Sequence, residues 1–489
     1  MESLPTEFDV IVVGAGLSGI AAAHYLRTRC PQERFVLLEG REAIGGTWDL
    51  FRYPGVRSDS DMFTLGYTFR PWRSDAAIAD GAAIRDYIRA TAQAEGALEH
   101  IRFRHRVQAA RWDSASARWT LDVDADGAPA RFTARFVFFC SGYYDYAQGH
   151  APDWPGRADF NGRIVHPQHW PADLDVAGKR IVVIGSGATA ITLLPALATQ
   201  AAHVTMLQRT PSYVLALPGR DAIGHLLQMV LPPRLAYRLI RWKNILLSTA
   251  LFQFARRRPA AARRWLVGQA QAKLGAGFDP KHLQPPYAPW DQRLCIAPDA
   301  DFFRALRSGR ASIVTDRIAG FTRDGLRLAS GAELPADIVV TATGLQLQLL
   351  GGAQLTVDGR PVDLPAALSY KGMMLAGVPN FAMAMGYTNA SWTLKCELIA
   401  RQVCRILNHM RARGLEVCMP QPQGNVGETR PALDLSSGYV QRAAAVLPRQ
   451  GSRKPWRIHQ NYLRDLLALR LAPLADGALR FARRGEAPR

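Results

Sequence analysis

The stretch that decides the fold is Phe8-Asp9-Val10-Ile11-Val12-Val13-Gly14-Ala15-Gly16-Leu17-Ser18-Gly19. Its first half is a continuous apolar run rich in β-branched residues, which is typical of a buried parallel strand. Gly14 permits a tight turn, Gly16 lets the backbone approach a pyrophosphate, and Gly19 lets the following helix pack closely on the strand. The stretch therefore predicts a strand, a glycine-rich loop and a helix whose N-terminus favours a phosphate.

A second apolar strand is predicted at residues 34–38, and it ends at Glu39. An acidic side chain about 20 residues after the last glycine of such a loop accepts hydrogen bonds from the ribose hydroxyls of an adenosine. A lone glycine motif is weak evidence, whereas strand, glycines, helix, strand and acid in this order are specific. The order predicts a first dinucleotide site, and the contrast with the second loop, described next, assigns it to FAD.

The same pattern occurs once more in the chain. A strand at residues 179–184 leads into Gly185-Ser186-Gly187-Ala188-Thr189-Ala190, in which Ala190 replaces the third glycine. The next strand ends in Gln208-Arg209-Thr210 in place of an acid. Because a guanidinium suits a ribose 2′-phosphate, this loop is predicted to bind NADPH. The alternative is that Arg209 is a solvated surface residue.

A link joins the two glycine loops, and a second motif follows the first of them. The link is Phe160-Asn161-Gly162-Arg163-Ile164-Val165-His166-Pro167-Gln168-His169-Trp170-Pro171, where one nucleotide domain passes into the other. The second motif is Gly45-Gly46-Thr47-Trp48, in which paired glycines allow close approach of a flat cofactor and Trp48 supplies an aromatic wall. The alternative for this motif is a surface loop with one buried tryptophan.

Length, charge and cysteines restrict the class of protein. The chain has 489 residues, enough for two or three domains, and a formal net charge of +19 that favours anionic partners. Its six cysteines form no C-x-x-C pair and no zinc-like cluster, which predicts reduced thiols and no metal site. The sequence shows neither a signal peptide nor an apolar run of the roughly 20 residues that span a bilayer. We expect a cytoplasmic protein, either free or attached to a membrane surface.

Residues 222–278 differ in character from the rest. They contain ten Lys or Arg residues and no Asp or Glu. Four apolar residues recur at helical spacing beside Arg234, Arg238 and Arg241: Leu235, Leu239, Trp242 and Leu246. Residues 222–275 could lie in a membrane interface, or the apolar stripe could pack on the protein while the arginines are solvated, which is the commoner outcome. Nucleic-acid binding is not expected, because aromatic residues are not interleaved as a stacking platform.

The fold predicted from these patterns is an α/β fold with two Rossmann-like dinucleotide-binding domains and a helical insertion. The apolar run at residues 336–344, which closes on Gly344, is predicted to re-enter the FAD domain. The expected organisation is 1–150 and 336–489 for the FAD domain with C-terminal helices, 151–220 and 291–335 for the NADPH domain, and 221–290 for the insertion.

The sequence resembles class B flavoprotein monooxygenases, and two patterns place it in their Baeyer–Villiger branch. The pattern F-x-G-x-x-x-H-x-x-x-W-[PD] is matched by Phe160, Gly162, His166, Trp170 and Pro171. The pattern G-x-W-x-x-x-x-[FY]-P-[GM]-x-x-x-D is matched by Gly46, Trp48, Tyr53, Pro54, Gly55 and Asp59. The phrases at 52–59, 289–295 and 386–395 are similar to those of the ethionamide-activating monooxygenases within that branch.

The resemblance implies a reaction. NADPH reduces FAD, the reduced flavin adds dioxygen at C4a, and the resulting peroxyflavin converts lipophilic ketones to esters and oxidises sulfur compounds. It implies that Arg293 supplies a positive charge beside the flavin and that Asp59 orients it, although Gln292 stands where other Baeyer–Villiger enzymes usually carry a lysine. His166 is interpreted as a hydrogen-bonding strut in the link and not as a general acid.

Three other functions are compatible with parts of the sequence. A disulfide reductase would share both nucleotide domains, but it needs a redox cysteine pair that the sequence lacks. A flavin monooxygenase restricted to nitrogen or sulfur oxidation, or one acting on long-chain alkane derivatives, would differ only in its products. A basic membrane-surface protein without enzymatic activity is the third alternative.

Overall fold

A computed structural model describes residues 5–275, 277–433 and 436–486. Two separate β-sheets dominate this part of the chain, the first mixed and the second wholly parallel. Each is built around a strand that leads directly into one of the two glycine loops.

The first sheet is centred on the strand Glu7–Val13. It pairs in parallel with Phe35–Leu38 on one side and Ala128–Phe139 on the other. Its side chains alternate between two cores, because Val10 and Val12 belong to one hydrophobic cluster while Ile11 and Val13 belong to another. Nine strands form this sheet, in the order Arg360–Pro361, Gln354–Val357, His105–Asp113, Arg118–Ala125, Ala128–Phe139, Glu7–Val13, Phe35–Leu38 and Ile101–Arg102, with Phe381–Met383 beside Ala128–Phe139.

Helices cover the first sheet. Leu17–Arg29 follows the glycine loop and packs against Trp392–Ala412, a helix of 21 residues with fourteen buried side chains. The small residues Ala21 and Ala23 allow this close approach, and both are fully buried. The other α-helices of this domain among the described residues are Thr47–Leu50, Met62–Leu65, Gly81–Ala94, Gly438–Arg442 and Tyr462–Leu466.

The second sheet is wholly parallel. Its strands stand in the order Ala311–Thr315, His203–Gln208, Arg180–Ile184, Ile338–Thr341 and Arg163–Val165. The helices Ala188–Leu197 and Asp301–Arg307 pack on it. Both sheets lead into glycine loops, so the predicted fold of two Rossmann-like domains is confirmed.

One boundary in the predicted organisation is wrong. The strand Ile338–Thr341 does not re-enter the first domain, because it pairs with Arg180–Ile184 and Arg163–Val165 inside the second sheet. The chain returns later, at Leu345–Leu347, which pairs with Tyr144–Gly149. An apolar strand that ends at a glycine is compatible with the centre of either sheet. The sequence therefore could not show which of the two sheets this strand joins.

Smaller paired strands surround the two cores. Val214–Leu217 pairs in parallel with Cys295–Pro298 and so joins the chain on either side of the insertion. The remaining antiparallel groups are Ile318–Thr322 with Gly325–Leu328 and Glu333–Pro335, Ser369–Tyr370 with Met374–Leu375, Val417–Pro420 with Leu479–Ala482, and Thr429–Pro431 with Arg449–Gly451.

The insertion consists of the helices Ala222–Val230, Pro233–Arg257 and Pro259–Leu274. Its long middle helix is attached to the first domain through Arg241, whose guanidinium donates to the carboxylate of Glu397 at 3.0 Å and to the backbone carbonyl of Gly66 at 2.7 Å. No helix among the described residues is long and apolar enough to cross a bilayer.

The expectation that the apolar stripe of the amphipathic helix packs on the protein is wrong for this chain, whereas Arg234 and Arg238 are exposed as expected. The stripe residues are exposed: Leu239 is 44% exposed and Leu246 is 51% exposed. Arg241, in contrast, is buried and only 5% exposed. The face that packs on the protein instead carries Ala236, Tyr237, Ile240, Arg241 and Ile245. Arg241 fits this buried face because Glu397 balances its charge and accepts from Nη2, while several backbone carbonyl groups accept from Nη1.

Candidate active site

The two glycine loops open into one cleft of about 1300 Å³ between the domains. The helix Leu17–Arg29 begins after Gly16 and the helix Ala188–Leu197 begins after Gly187, and no side chain caps either N-terminus. The first backbone N–H groups of both helices are therefore directed toward the cleft without a side-chain acceptor. Each terminus is suited to an anionic pyrophosphate.

The first loop requires glycine for steric reasons. Gly14 has a φ of +103°, and a Cβ added there would lie 2.9 Å from the carbonyl oxygen of Cys140. A Cβ on Gly19 would lie 1.9 Å from the carbonyl oxygen of Gly14. Gly19 therefore packs the helix on the strand and does not line the cleft, whereas Gly14 and Gly16 do. The corresponding Ala190 of the second loop is likewise fully buried and outside the lining.

Glu39 lies at the end of Phe35–Leu38, as the sequence predicted, and lines the cleft. One carboxylate oxygen accepts the backbone N–H of Ala15 at 2.7 Å, and the other accepts that of Arg41 at 2.9 Å. Burial raises the pKa of this carboxyl above its ordinary value, while the two N–H donors oppose the shift. The backbone thus holds the carboxylate of Glu39 in one orientation beside the first loop.

Gly46, Thr47 and Trp48 also line the cleft. Gly46 has a φ of +56°, and a Cβ there would come within 3.2 Å of the Cα of Gly16. Gly16 and Gly46 therefore lie against each other with no side chain between them. Together they form a surface of bare backbone in the cleft. The Thr47 hydroxyl lies 3.2 Å from the hydroxyl of Tyr146, which fixes the second segment.

The second loop presents Gly185, Gly187, Arg209 and Thr210 to the same cleft. The Ser186 hydroxyl donates to the carbonyl oxygen of Thr210 at 2.7 Å and fixes the loop against the end of the next strand. Arg209 is exposed at the cleft edge. Its guanidinium lines the cleft beside the second loop, and its contact with a 2′-phosphate stays a prediction.

Arg293 and Asp59 meet in the cleft although 234 positions separate them in the chain. An Nη1 donor of Arg293 lies 2.9 Å from Oδ2 of Asp59, and its Nη2 donates to the hydroxyl of Tyr143 at 3.3 Å. Burial disfavours the charge, yet Tyr143, Tyr439 and Asp59 hold the pKa of the Arg293 guanidinium above its ordinary value. The site therefore contains a fixed positive charge that is only 29% exposed.

Aromatic rings form the wall next to this charge. The ring of Tyr143 lies 5.1 Å from that of Trp392 and 4.6 Å from that of Tyr144. The indole N–H of Trp392 donates to the Ser18 hydroxyl at 2.8 Å, which ties the wall to the first helix. Motif reasoning did not single out Tyr143 or Trp392. The available sequence signals were the position of Tyr143 shortly after the apolar end of the strand Ala128–Phe139 and the position of Trp392 within the phrase at 386–395.

The link residues lie outside the cleft lining. His166 Nε2 lies 3.3 Å from the carbonyl oxygen of Gly344, and its Nδ1 accepts the backbone N–H of Gln168 at 3.2 Å. Nδ1 is therefore unprotonated, and burial lowers the pKa of this imidazole. Gly344 itself lines the cleft, so neutral His166 supports the cleft through the backbone.

Three further residues of the link, Phe160, Gly162 and Trp170, have packing roles. Phe160 contacts Phe321 with ring centroids 5.6 Å apart, and Trp170 packs against the core of the second domain. A Cβ on Gly162 would lie 2.3 Å from the carbonyl oxygen of Asp337. These contacts fix the crossing between the domains.

In residues 5–275, 277–433 and 436–486, no group of three or more His, Cys, Asp or Glu side chains is placed to hold a metal ion.

Two dinucleotide loops facing one cleft, with a fixed cation and an aromatic wall between them, define a flavin-dependent oxidoreductase class. The chain belongs to the flavin-binding monooxygenase family. The family model described as flavin-binding monooxygenase-like matches residues 71–258, and a model for an NAD(P)-binding Rossmann-like domain matches residues 12–74. The sequence-based prediction of a flavoprotein monooxygenase is thus confirmed.

Full-length relatives support the same family. FAD-containing monooxygenase EthA of Mycobacterium tuberculosis is 52% identical over 97% of this chain and 98% of its own length. The “Probable FAD-binding monooxygenase AlmA” of Acinetobacter baylyi is 46% identical over 98% of this chain and 97% of its own. An oxidised steroid monooxygenase bound to NADP has the same fold, with a TM-score of 0.72 at 24% identity over 85% of this chain and 88% of that one.

Proposed function

We propose that the chain is an NADPH- and oxygen-dependent monooxygenase that binds FAD at its first loop and NADPH at its second. Its proposed substrates are lipophilic ketones, which it converts to esters, and sulfur compounds. The observation that carries the proposal is Arg293, held in the cleft between the two loops by Asp59 and Tyr143.

The residues present fit both cofactors. The bare backbone surface formed by Gly16 and Gly46 leaves room for a flat group. The fixed carboxylate of Glu39 can accept hydrogen bonds from ribose hydroxyls. The open space around Gly187, where a Cβ would meet no atom within 4 Å, admits a second pyrophosphate. FAD is named for the EthA relative and NADP for the steroid monooxygenase, which supports the choice of these two cofactors.

FAD, when bound, supplies the chemistry of accepting a hydride and passing one oxygen atom from dioxygen to the substrate. The protein supplies electrostatics and shelter. Arg293 offers a positive charge fixed in advance, which stabilises negative charge that develops beside it. Asp59 and Tyr143 hold its two terminal nitrogens. Tyr143 and Trp392 place aromatic rings in the same region of the cleft, and a region that holds less water strengthens the effect of the charge.

The test is a product assay on the purified holoenzyme. With NADPH and oxygen, we expect ketones with long alkyl or aryl groups to give esters, detected by mass spectrometry. Methyl phenyl sulfide serves as a second substrate and should give a sulfoxide. Sulfoxide formation without any ester across the ketone panel would contradict the Baeyer–Villiger proposal and favour a sulfur- or nitrogen-oxidising flavin monooxygenase.

Coenzyme preference tests the second loop. Arg209→Ala is expected to lower kcat/KM for NADPH by about 10- to 100-fold, because a charged hydrogen bond to the 2′-phosphate is worth roughly 1.5–3 kcal/mol. The value for NADH should stay unchanged. Arg323→Ala, an exposed arginine away from the cleft, is the matched control. Equal losses with both coenzymes would show that Arg209 does not read the phosphate.

A further inference from the structure

The helical insertion exposes an apolar surface made by two neighbouring helices. We define the insertion surface by six of the exposed apolar residues of these helices, which are 39–64% exposed: Leu226, Met229, Leu235, Leu239, Trp242 and Leu246. Along Pro233–Arg257 the exposed members follow each other at intervals of three and four, so they share one face. Single exposed leucines are ordinary on proteins, whereas a continuous apolar face marks an interaction site.

The opposite face of the long helix is fixed to the protein, so the exposure is not a consequence of loose attachment. Besides the contacts of Arg241, the amide of Asn244 donates to Asp61 at 2.9 Å, and the Tyr237 hydroxyl donates to the carbonyl oxygen of Tyr67 at 3.0 Å. Ile245 packs in a buried cluster with Tyr387. Rotating the helix to bury its leucines would break all of these contacts.

The surface continues onto a second part of the chain. The ring of Trp242 meets that of Tyr462 at 5.9 Å, and Tyr462 begins the short helix Tyr462–Leu466. Directly after it, Leu467 and Leu471 are 58% and 66% exposed. Arg464 and Arg470 are also exposed in this segment. The apolar residues here again have basic neighbours.

The charge around the insertion surface selects the kind of partner. Residues 222–278 contain no acidic residue, and Arg234, Arg238, Arg257 and Arg264 are exposed there. In a two-fold symmetric dimer the same patch meets itself, which would place these arginines opposite each other. An anionic bilayer offers both apolar depth for the leucines and negative charge for the arginines.

We propose that the insertion surface docks the enzyme on the surface of an anionic phospholipid bilayer. The helix would lie in the plane of the membrane, with its leucines in the headgroup region and its arginines on lipid phosphates. The cleft is one helix away, because Ile245 on the inner face packs with Tyr387 and Tyr387 lines the cleft. This proposal concerns location and does not depend on which product the enzyme forms.

Vesicle flotation of the holoenzyme tests the apolar part. We expect the enzyme to float with equimolar phosphatidylcholine and phosphatidylglycerol vesicles and to remain in solution with pure phosphatidylcholine. The triple variant Leu235→Ser, Leu239→Ser and Leu246→Ser should lower binding by roughly tenfold or more. The matched control is Leu98→Ser with Val446→Ser, whose side chains are 43% and 42% exposed away from the surface.

A second pair of variants tests the charge. Arg234→Gln with Arg238→Gln should lower binding to anionic vesicles by about tenfold, while Arg323→Gln with Arg360→Gln should not. Flavin absorbance checks that each variant is folded. Failure of the unaltered enzyme to float with anionic vesicles would overturn the proposal. The proposal would also be overturned if light scattering showed a dimer for the unaltered enzyme and a monomer for the triple serine variant. That result would show that the insertion surface binds a second copy of the chain.

Discussion

Arg293→Ala is expected to retain FAD and to oxidise NADPH, but to form ester at a rate about 10²- to 10³-fold lower, the usual loss when one preorganised charge donor is removed. The Arg293 side chain lies between the two glycine loops and is part of neither loop. Its removal should therefore separate oxygen transfer from cofactor binding. Ester and hydrogen peroxide are measured against NADPH consumed, and peroxide should account for most of the NADPH.

Two further variants make this result specific. Arg293→Lys keeps a positive charge but cannot reach Asp59 and Tyr143 with two nitrogens of one planar group, so we expect an intermediate ester yield. Arg323→Ala controls for loss of an exposed arginine. Full ester formation by Arg293→Ala would remove this residue from the proposed mechanism. Loss of FAD would instead show that the guanidinium contributes to cofactor binding.

The sequence predicted the nucleotide loops well because their steric requirements are local. Gly14 must adopt a positive φ and Gly19 must admit a carbonyl oxygen, and both demands fall within one strand–loop–helix unit. Glu39 was predictable for the same reason, since the second strand of the unit places it. The pairing of Arg293 with Asp59 came from the family resemblance, because nothing local connects residues so far apart.

The two wrong predictions, the sheet that residues 338–341 join and the buried face of the long helix, concern sequence patterns that are compatible with more than one tertiary arrangement. An apolar strand such as Ile338–Thr341 can enter either sheet, and only the hydrogen-bond register assigns it. The amphipathic helix presented a similar ambiguity. Hydropathy predicts that Leu239 is buried and Arg241 solvated, but the buried Glu397 reverses both. A partner 156 positions away in the chain cannot be recognised from helical spacing.

Gly19→Ala and Gly187→Ala are expected to fail in different ways, although both replace a glycine of a dinucleotide loop by alanine. The new Cβ at position 19 would lie 1.9 Å from the carbonyl oxygen of Gly14, so the helix must move away from the strand. We expect a loss of at least about 3 kcal/mol in the free energy of unfolding, at the upper end for overpacking. The purified protein should contain little FAD, measured by its absorbance.

The second substitution meets no such obstacle. A Cβ at position 187 has no neighbour within 4 Å, and Gly187 has a φ of −76°, which alanine adopts without strain. The melting temperature and the FAD content should therefore stay unchanged. The methyl group would instead project into the space proposed for the NADPH pyrophosphate, so KM for NADPH should rise about tenfold or more. An unchanged KM would contradict the assignment of NADPH to the second loop, because that assignment requires the backbone of Gly187 to approach the phosphates closely.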